Sequence, residues 1–198
     1  MSIAERIQAS QSLADQISSE LHDLEFSGTL RSRLSAACYF ASLDHQTGIA
    51  VLFERGIQSP ALALLRPLFE SYIRACWLFD CATEVQIGFY RERKPIPRIE
   101  TLVTHLEQTE PFAGVNALSA SHTRNWKTLC GFTHGGIELA MRNMSADSIE
   151  RNCPDDEVGE ALAFADAIAL LSAVGVARIA DNRALAMRLL DLLKRRQA

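Results

Sequence analysis

The run from Ser59 to Ala82 sets the tightest limit on what this chain can fold into. It is apolar almost throughout, and before its last turn the only charges are Arg66, Glu70 and Arg74. At 100° per residue these three fall within an arc of about 80°, shared with Ala63 and Trp77. An apolar helix with one narrow charged stripe belongs in the core of a helical protein. The run is long enough to span a bilayer, but charges at mid-membrane cost about 2.5–3.5 kcal/mol each. It is therefore read as a buried core helix, and no membrane span is expected. Ser59 is the expected N-cap, with Pro60 at the first helical position. Pro67 lies inside the helix and removes the hydrogen bond to the carbonyl of Ala63. That predicts a kink, at a cost of roughly 3 kcal/mol that packing must offset.

The rest of the chain reads as helices joined by short breaks. Residues 3–26 carry Ile3, Ile7, Leu13, Ile17, Leu21 and Leu24 on helical spacing. Ser27-Gly28-Thr29 closes that segment and offers a cap for a long helix over 30–55, with Gly56 where a left-handed terminator belongs. A charged loop, 91–97, precedes a shorter helix over 98–108 and another over 119–132, which stops at Thr133-His134-Gly135-Gly136. Acids at 155–157 open a helix over 155–181 rich in alanine and glycine, whose small side chains suit the centre of a bundle or a dimer seam. A basic-ended helix over 183–196 completes the chain. No strand-like alternation and no repeat is found. The expectation is an all-α, single-domain helical bundle of six to seven helices over 1–198, with 1–27 as a peripheral N-terminal helix.

Composition excludes few classes. An apolar share of 48% and a net charge of −4 describe an ordinary globular protein and argue against a generally basic nucleic-acid binder. The five cysteines (38, 76, 81, 130 and 153) form no C-x-x-C pair. With no signal peptide at the N-terminus, they are read as free thiols, four of them buried, in a cytoplasmic protein. No histidine pair has metal-ligand spacing, and no nucleotide or hydrolase signature occurs, so neither a metal nor a cofactor is expected.

Two readings of the stripe stand open. Either it faces solvent and the i, i+4 pairs Arg66–Glu70 and Glu70–Arg74 satisfy one another for about 0.2–0.5 kcal/mol each, or it lines a cleft and needs partners from another helix or an anion. Two histidine segments are candidates for chemistry. In GFTHGG, His134 and Thr133 sit on a glycine-loosened helix end; the dipole and the glycine cap account equally for a structural histidine there. Asp44-His45-Gln46-Thr47 interrupts the apolar run of the second helix. His22, His105 and His122 read as surface residues.

Leu64 to Phe79 (LLRPLFESYIRACWLF) together with Phe132 to Gly136 (FTHGG) resembles uncharacterised bacterial helical proteins. In that group an Arg-x-x-x-Glu-x-x-x-Arg helix is followed some sixty residues later by a helix ending in histidine. Those proteins look related in shape to the HEPN group, helical and often dimeric domains associated with nucleic acids in toxin–antitoxin and phage-defence systems. The resemblance implies a homodimer with an RNA or protein partner. HEPN ribonucleases carry Arg-x(4–6)-His, with the histidine as general base on a ribose hydroxyl and the arginine on the phosphorane charge. The one literal match, Arg98 to His105, is of the kind that 17 arginines and five histidines produce by chance. At His134 the residue six intervening positions earlier is Lys127, a departure from that pattern. The composite site the resemblance implies has His134, Arg74 and Glu70 as its catalytic group. Arg66, Thr133, His45 and Asp44 would bind ligand. Two other functions compete with it: a non-enzymatic helical interaction module, and a bundle binding a small anion at the stripe.

Overall fold

The computed structural model describes residues 1–26, 28–114, 116–144, 147–149 and 153–197, and among them it is all-helical. Nine helices follow one another: α1 (Ile3–Leu21), α2 (Leu30–Glu54), α3 (Gln58–Asp80), α4 (Glu84–Arg91), α5 (Ile99–Glu107), α6 (Ala117–Thr133), α7 (Ile137–Met141), α8 (Asp155–Ile179) and α9 (Arg183–Gln197). The two beyond the expected number are short. α4 starts at a reciprocal capping box between Thr83 and Gln86. α7 follows directly on the glycines after His134, in a stretch to which the sequence reading assigns no element. The polar segment after it, 143–152, lies in part outside the described residues.

α2 and α3 form an antiparallel hairpin whose turn is set by Gly56. That glycine adopts φ 67°, and Ile57 N–H donates back to the Leu52 carbonyl at 2.8 Å while Gly56 N–H donates to Phe53 at 3.0 Å. The turn is tight enough that α3 begins at Gln58 with Ile57 as its cap, two residues earlier than the expected Ser59 cap. Pro60 then sits third in the helix, where its N–H would still be unpaired. At the other end Arg31 of α2 closes α3. Its guanidinium donates to the carbonyls of Leu78 at 2.6 Å and Ala82 at 2.7 Å and pairs with Glu84 at 2.7 Å.

α3 is the core helix that its sequence predicts. Leu68, Ile73, Trp77 and Leu78 are wholly buried, and Cys76 accepts the Tyr39 hydroxyl at 3.3 Å. Burial pushes the Cys76 thiol up to about 12, so it stays protonated. All five cysteines are free, but only Cys76 is fully buried; the other four are half-buried, at the edges of the apolar clusters.

α8 lies antiparallel to α2 and against α1, α3 and α9. By length and composition it is the one helix among the described residues that can cross a membrane, and 72% of its most apolar window is buried inside the protein. Its small residues serve close packing within the chain: a Cβ built on Gly175 would overlap the ring of Tyr39. Polar ties from two of its residues, Arg178 and Asp166, fix its register. Arg178 grips Asp80 at 2.8 and 3.2 Å. Asp166, itself buried, accepts from Ser10 at 2.5 Å and Gln46 at 3.0 Å, and from Arg196 at 2.7 Å. These last bonds join α1, α2, α8 and α9, so α1, expected at the periphery, is integral: Ser10, Leu13 and Ile17 are buried. It also ends sooner than expected, because His22 is extended and Asp23 turns the chain at φ 61°.

The Tyr39–Gly175 contact predicts that Gly175→Ala lowers stability by about 1–3 kcal/mol through overpacking, despite the roughly 1 kcal/mol that alanine gains over glycine in a helix. Gly88→Ala, where nothing lies within 4 Å of the added carbon, should raise it by about 0.5–1 kcal/mol. Urea midpoints of the two variants check the opposite signs.

Candidate functional site

The geometry around the stripe begins with the hydrogen bond that Pro67 cannot make. Its missing N–H leaves the Ala63 carbonyl without its helical donor. Thr133, at the end of α6, places its hydroxyl 3.2 Å from that oxygen and 2.9 Å from the carbonyl of Leu129 in its own helix. One proton is thus poised between two acceptors, and the C-terminus of α6 is docked on α3 beside Pro67.

The end of α6 is shaped by its glycines. His134 is the C-cap, Gly135 turns at φ 68°, and Gly136 N–H donates to the Gly131 carbonyl at 2.7 Å. This is the left-handed termination that the sequence suggested. It leaves the His134 side chain exposed and turned back over α3, where Nε2 meets Nη1 of Arg66. A guanidinium only donates, so Nε2 accepts and the neutral ring carries its proton on Nδ1.

Arg66 is the hub of the cluster. Besides His134, its Nε donates to Glu70 Oε1 at 2.7 Å, and its guanidinium carbon lies 4.8 Å from the centroid of the Trp126 ring. Arg74 takes the other oxygen of Glu70, Oε2, at 2.7 Å. The stripe's carboxylate is therefore satisfied on both oxygens by its own helix, as the self-paired reading expects. Yet the side chains are not on an open face, with Glu70 only 14% and Arg66 21% exposed. Arg66 also has the partners on a second helix that the cleft reading requires. Burial by itself would raise the Glu70 carboxyl; the hydrogen bonds from Arg66 and Arg74 outweigh it and hold the group below its ordinary value.

Behind Trp126 stands His122, with ring centroids 4.5 Å apart. Its Nε2 is buried without a hydrogen-bond partner among the described residues, 3.8 Å from a Glu100 oxygen. Neither His122 nor His105 is the surface residue its sequence suggests, since His105 Nδ1 accepts from the buried Trp77 indole at 3.3 Å. Trp126 was not singled out from sequence. The available signal is its spacing: 122, 126, 129 and 133 recur at i, i+4, i+7 and i+11, one face of α6, and that face meets α3. At the far end of the stripe burial raises the Cys38 thiol and the Tyr90 phenol, and Arg74 opposes the rise at both.

The structure thus brings together His134, Thr133, Arg66, Glu70 and Arg74, five of the seven residues singled out from sequence. It does not bring in the other two. Asp44 is exposed and lines a separate groove between α1 and α2. His45 is half-buried, its pKa lowered by desolvation against an opposing pull from Asp44, and among the described residues no hydrogen bond or ion pair joins it to the cluster. Among the described residues no group of three or more His, Cys, Asp or Glu side chains is placed to hold a metal ion.

Because the folded state depresses the Glu70 carboxyl, its ion pairs favour folding above the unfolded carboxylate range, and this contribution is lost as pH falls through the folded-state value. Glu70→Gln should accordingly be less stable than wild type at pH 7, and the gap should close on acidification below about pH 4. Thermal unfolding across that range measures it, and a pH-independent gap would contradict the pairing.

No curated protein and no solved structure matches the chain. A family model does, over residues 39–196, which include the whole α3–α6 cluster. With well over half of its length matched, the protein belongs to the DUF6988 family, a family of unknown function.

Proposed function

We propose that the α3–α6 junction binds the phosphates of RNA and that His134 moves a proton there during strand cleavage, in a HEPN-like protein of a bacterial defence or toxin–antitoxin pair. The observation that carries this reading is the contact between Arg66 and His134. The arginine that a HEPN ribonuclease carries a few residues before its histidine is supplied here from another helix. Electrostatics adds support: Arg124 and Lys127, exposed on α6 ahead of His134, enter no ion pair among the described residues. The stripe itself carries two guanidiniums for one carboxylate. A basic strip of this kind can sit on a chain whose net charge is −4.

The chemistry follows from who holds the Arg66 protons. A phosphate entering at Arg66 and Arg74 competes with His134 for the Nη1 donor, and bidentate guanidinium–phosphate contact is the stronger partner. Its capture frees the Nε2 lone pair to accept the proton of a ribose 2′-hydroxyl. The 2′-oxygen then forms its bond to phosphorus as the bond to the 5′-oxygen breaks, the departing 5′-oxygen taking a proton from water and the charge on the phosphorane being met by the two arginines. Glu70 keeps both guanidiniums extended along the stripe.

A second reading, a non-enzymatic interaction module or homodimer, is favoured by one feature beside the site. Ile137, Met141 and Met144 recur at i, i+4 and i+7 along α7 and the turn after it, all exposed. The small residues of α8 are occupied within the chain, so a seam between copies would use α7.

An assay on total RNA decides between them. The wild type should cleave, and His134→Ala should lose about 10²–10⁴-fold in rate while keeping its thermal stability. Equal cleavage by both proteins, or by neither, would overturn the catalytic reading and leave the interaction module.

A further inference from the structure

Asp44, Gln46 and Thr47, which the α3–α6 junction does not use, line a groove of their own. It lies between the C-terminal end of α1 and the middle of α2 and has a volume of about 370 Å³, within the range of small-ligand sites. We propose that it binds a small amphipathic organic cation, an amine borne on an aromatic or aliphatic body.

The walls account for the body. Leu21, Leu24, Phe26, Phe40 and Leu43 line the groove. Phe40 is 38% exposed, a large ring left facing this space and not the core. The back wall is fixed, because Gln46 is buried and its amide is tied to Ser10 and Asp166 on the far side.

Three features of the rim account for the charge. Asp44 is exposed at the edge and makes no hydrogen bond or ion pair among the described residues. Its neighbour His45 is a poor counter-charge at neutral pH, since burial lowers its pKa. Asp23, held in the left-handed turn that ends α1, meets only the exposed His22, at 3.5 Å, among the described residues. α1 also delivers the negative end of its dipole to the same place, with no basic residue in its last turn. The carboxylates are not gathered as a metal site would need. An apolar slot with a negative mouth therefore fits an organic ammonium group, with the amine at Asp44 and the body against Phe40.

Dansylcadaverine, a fluorophore with a primary amine, tests this on the full chain, with dansyl-6-aminohexanoate as the anionic control. Wild type should give a saturable blue shift with the amine and bind the acid at least about tenfold more weakly. Asp44→Asn, at an exposed position, should weaken the amine by about tenfold or more and leave thermal stability unchanged. Phe40→Ala should weaken both probes. The proposal is overturned if the amine gives no saturable shift, if the acid binds as tightly, or if Asp44→Asn binds the amine like wild type. None of these readouts depends on the α3–α6 junction.

Discussion

A single absent donor organises this molecule's candidate site. Pro67 has no N–H, so the Ala63 carbonyl in the middle of the core helix is left for another group to satisfy. Ala63 is half-buried, so solvent competes for that oxygen, and a donor from the protein fixes what would otherwise be left to water. The Thr133 hydroxyl reaches that oxygen from α6. The same approach lays His134 on Arg66 and Trp126 under its guanidinium. A feature that reads in isolation as a helix defect thus becomes the seat of a second helix, and the charged stripe acquires partners that its own helix cannot provide.

The remainder of the bundle holds α3 still while α6 docks on it. Arg31 ties the last carbonyls of α3 to the start of α2, and Asp80 ties its end to Arg178 of α8. The Asp166 network does the same for α1, α2, α8 and α9. Most of these charged or polar groups are buried or half-buried, and Arg31, Gln46 and Asp166 each meet several partners, the condition under which such groups specify register at little cost. With the core fixed in this way, geometry at the α3–α6 surface depends on a few side chains.

Much of this was legible before any coordinates, for reasons that differ by residue. The apolar run of α3, its stripe and the break at Pro67 follow from helical periodicity and proline chemistry, which are local. The termination at Gly135 and Gly136 is equally local. Trp126 and His122 share a face by spacing, but nothing in the sequence says which helix that face meets. Asp44 and His45 show the reverse: a polar interruption in an apolar helix is visible, yet only packing places it away from the stripe and beside α1. The capping box at Thr83 and Gln86 was present in the sequence and marks α4, a helix too short for periodicity to reveal. The Ser59 cap gave way to the tighter turn at Gly56, a contest between two local signals.

The account turns on Arg66 donating to His134 across two helices, and the proton on that imidazole reports it. Long-range proton–nitrogen correlation spectra of ¹⁵N-labelled protein distinguish the two neutral tautomers of a histidine. With Arg66 in place, neutral His134 should carry its proton on Nδ1 and present a bare Nε2. In Arg66→Met the constraint is gone and the Nε2–H form should appear. A wild-type ring protonated on Nε2, or spectra indifferent to Arg66→Met, would contradict the claim that these two helices share a site.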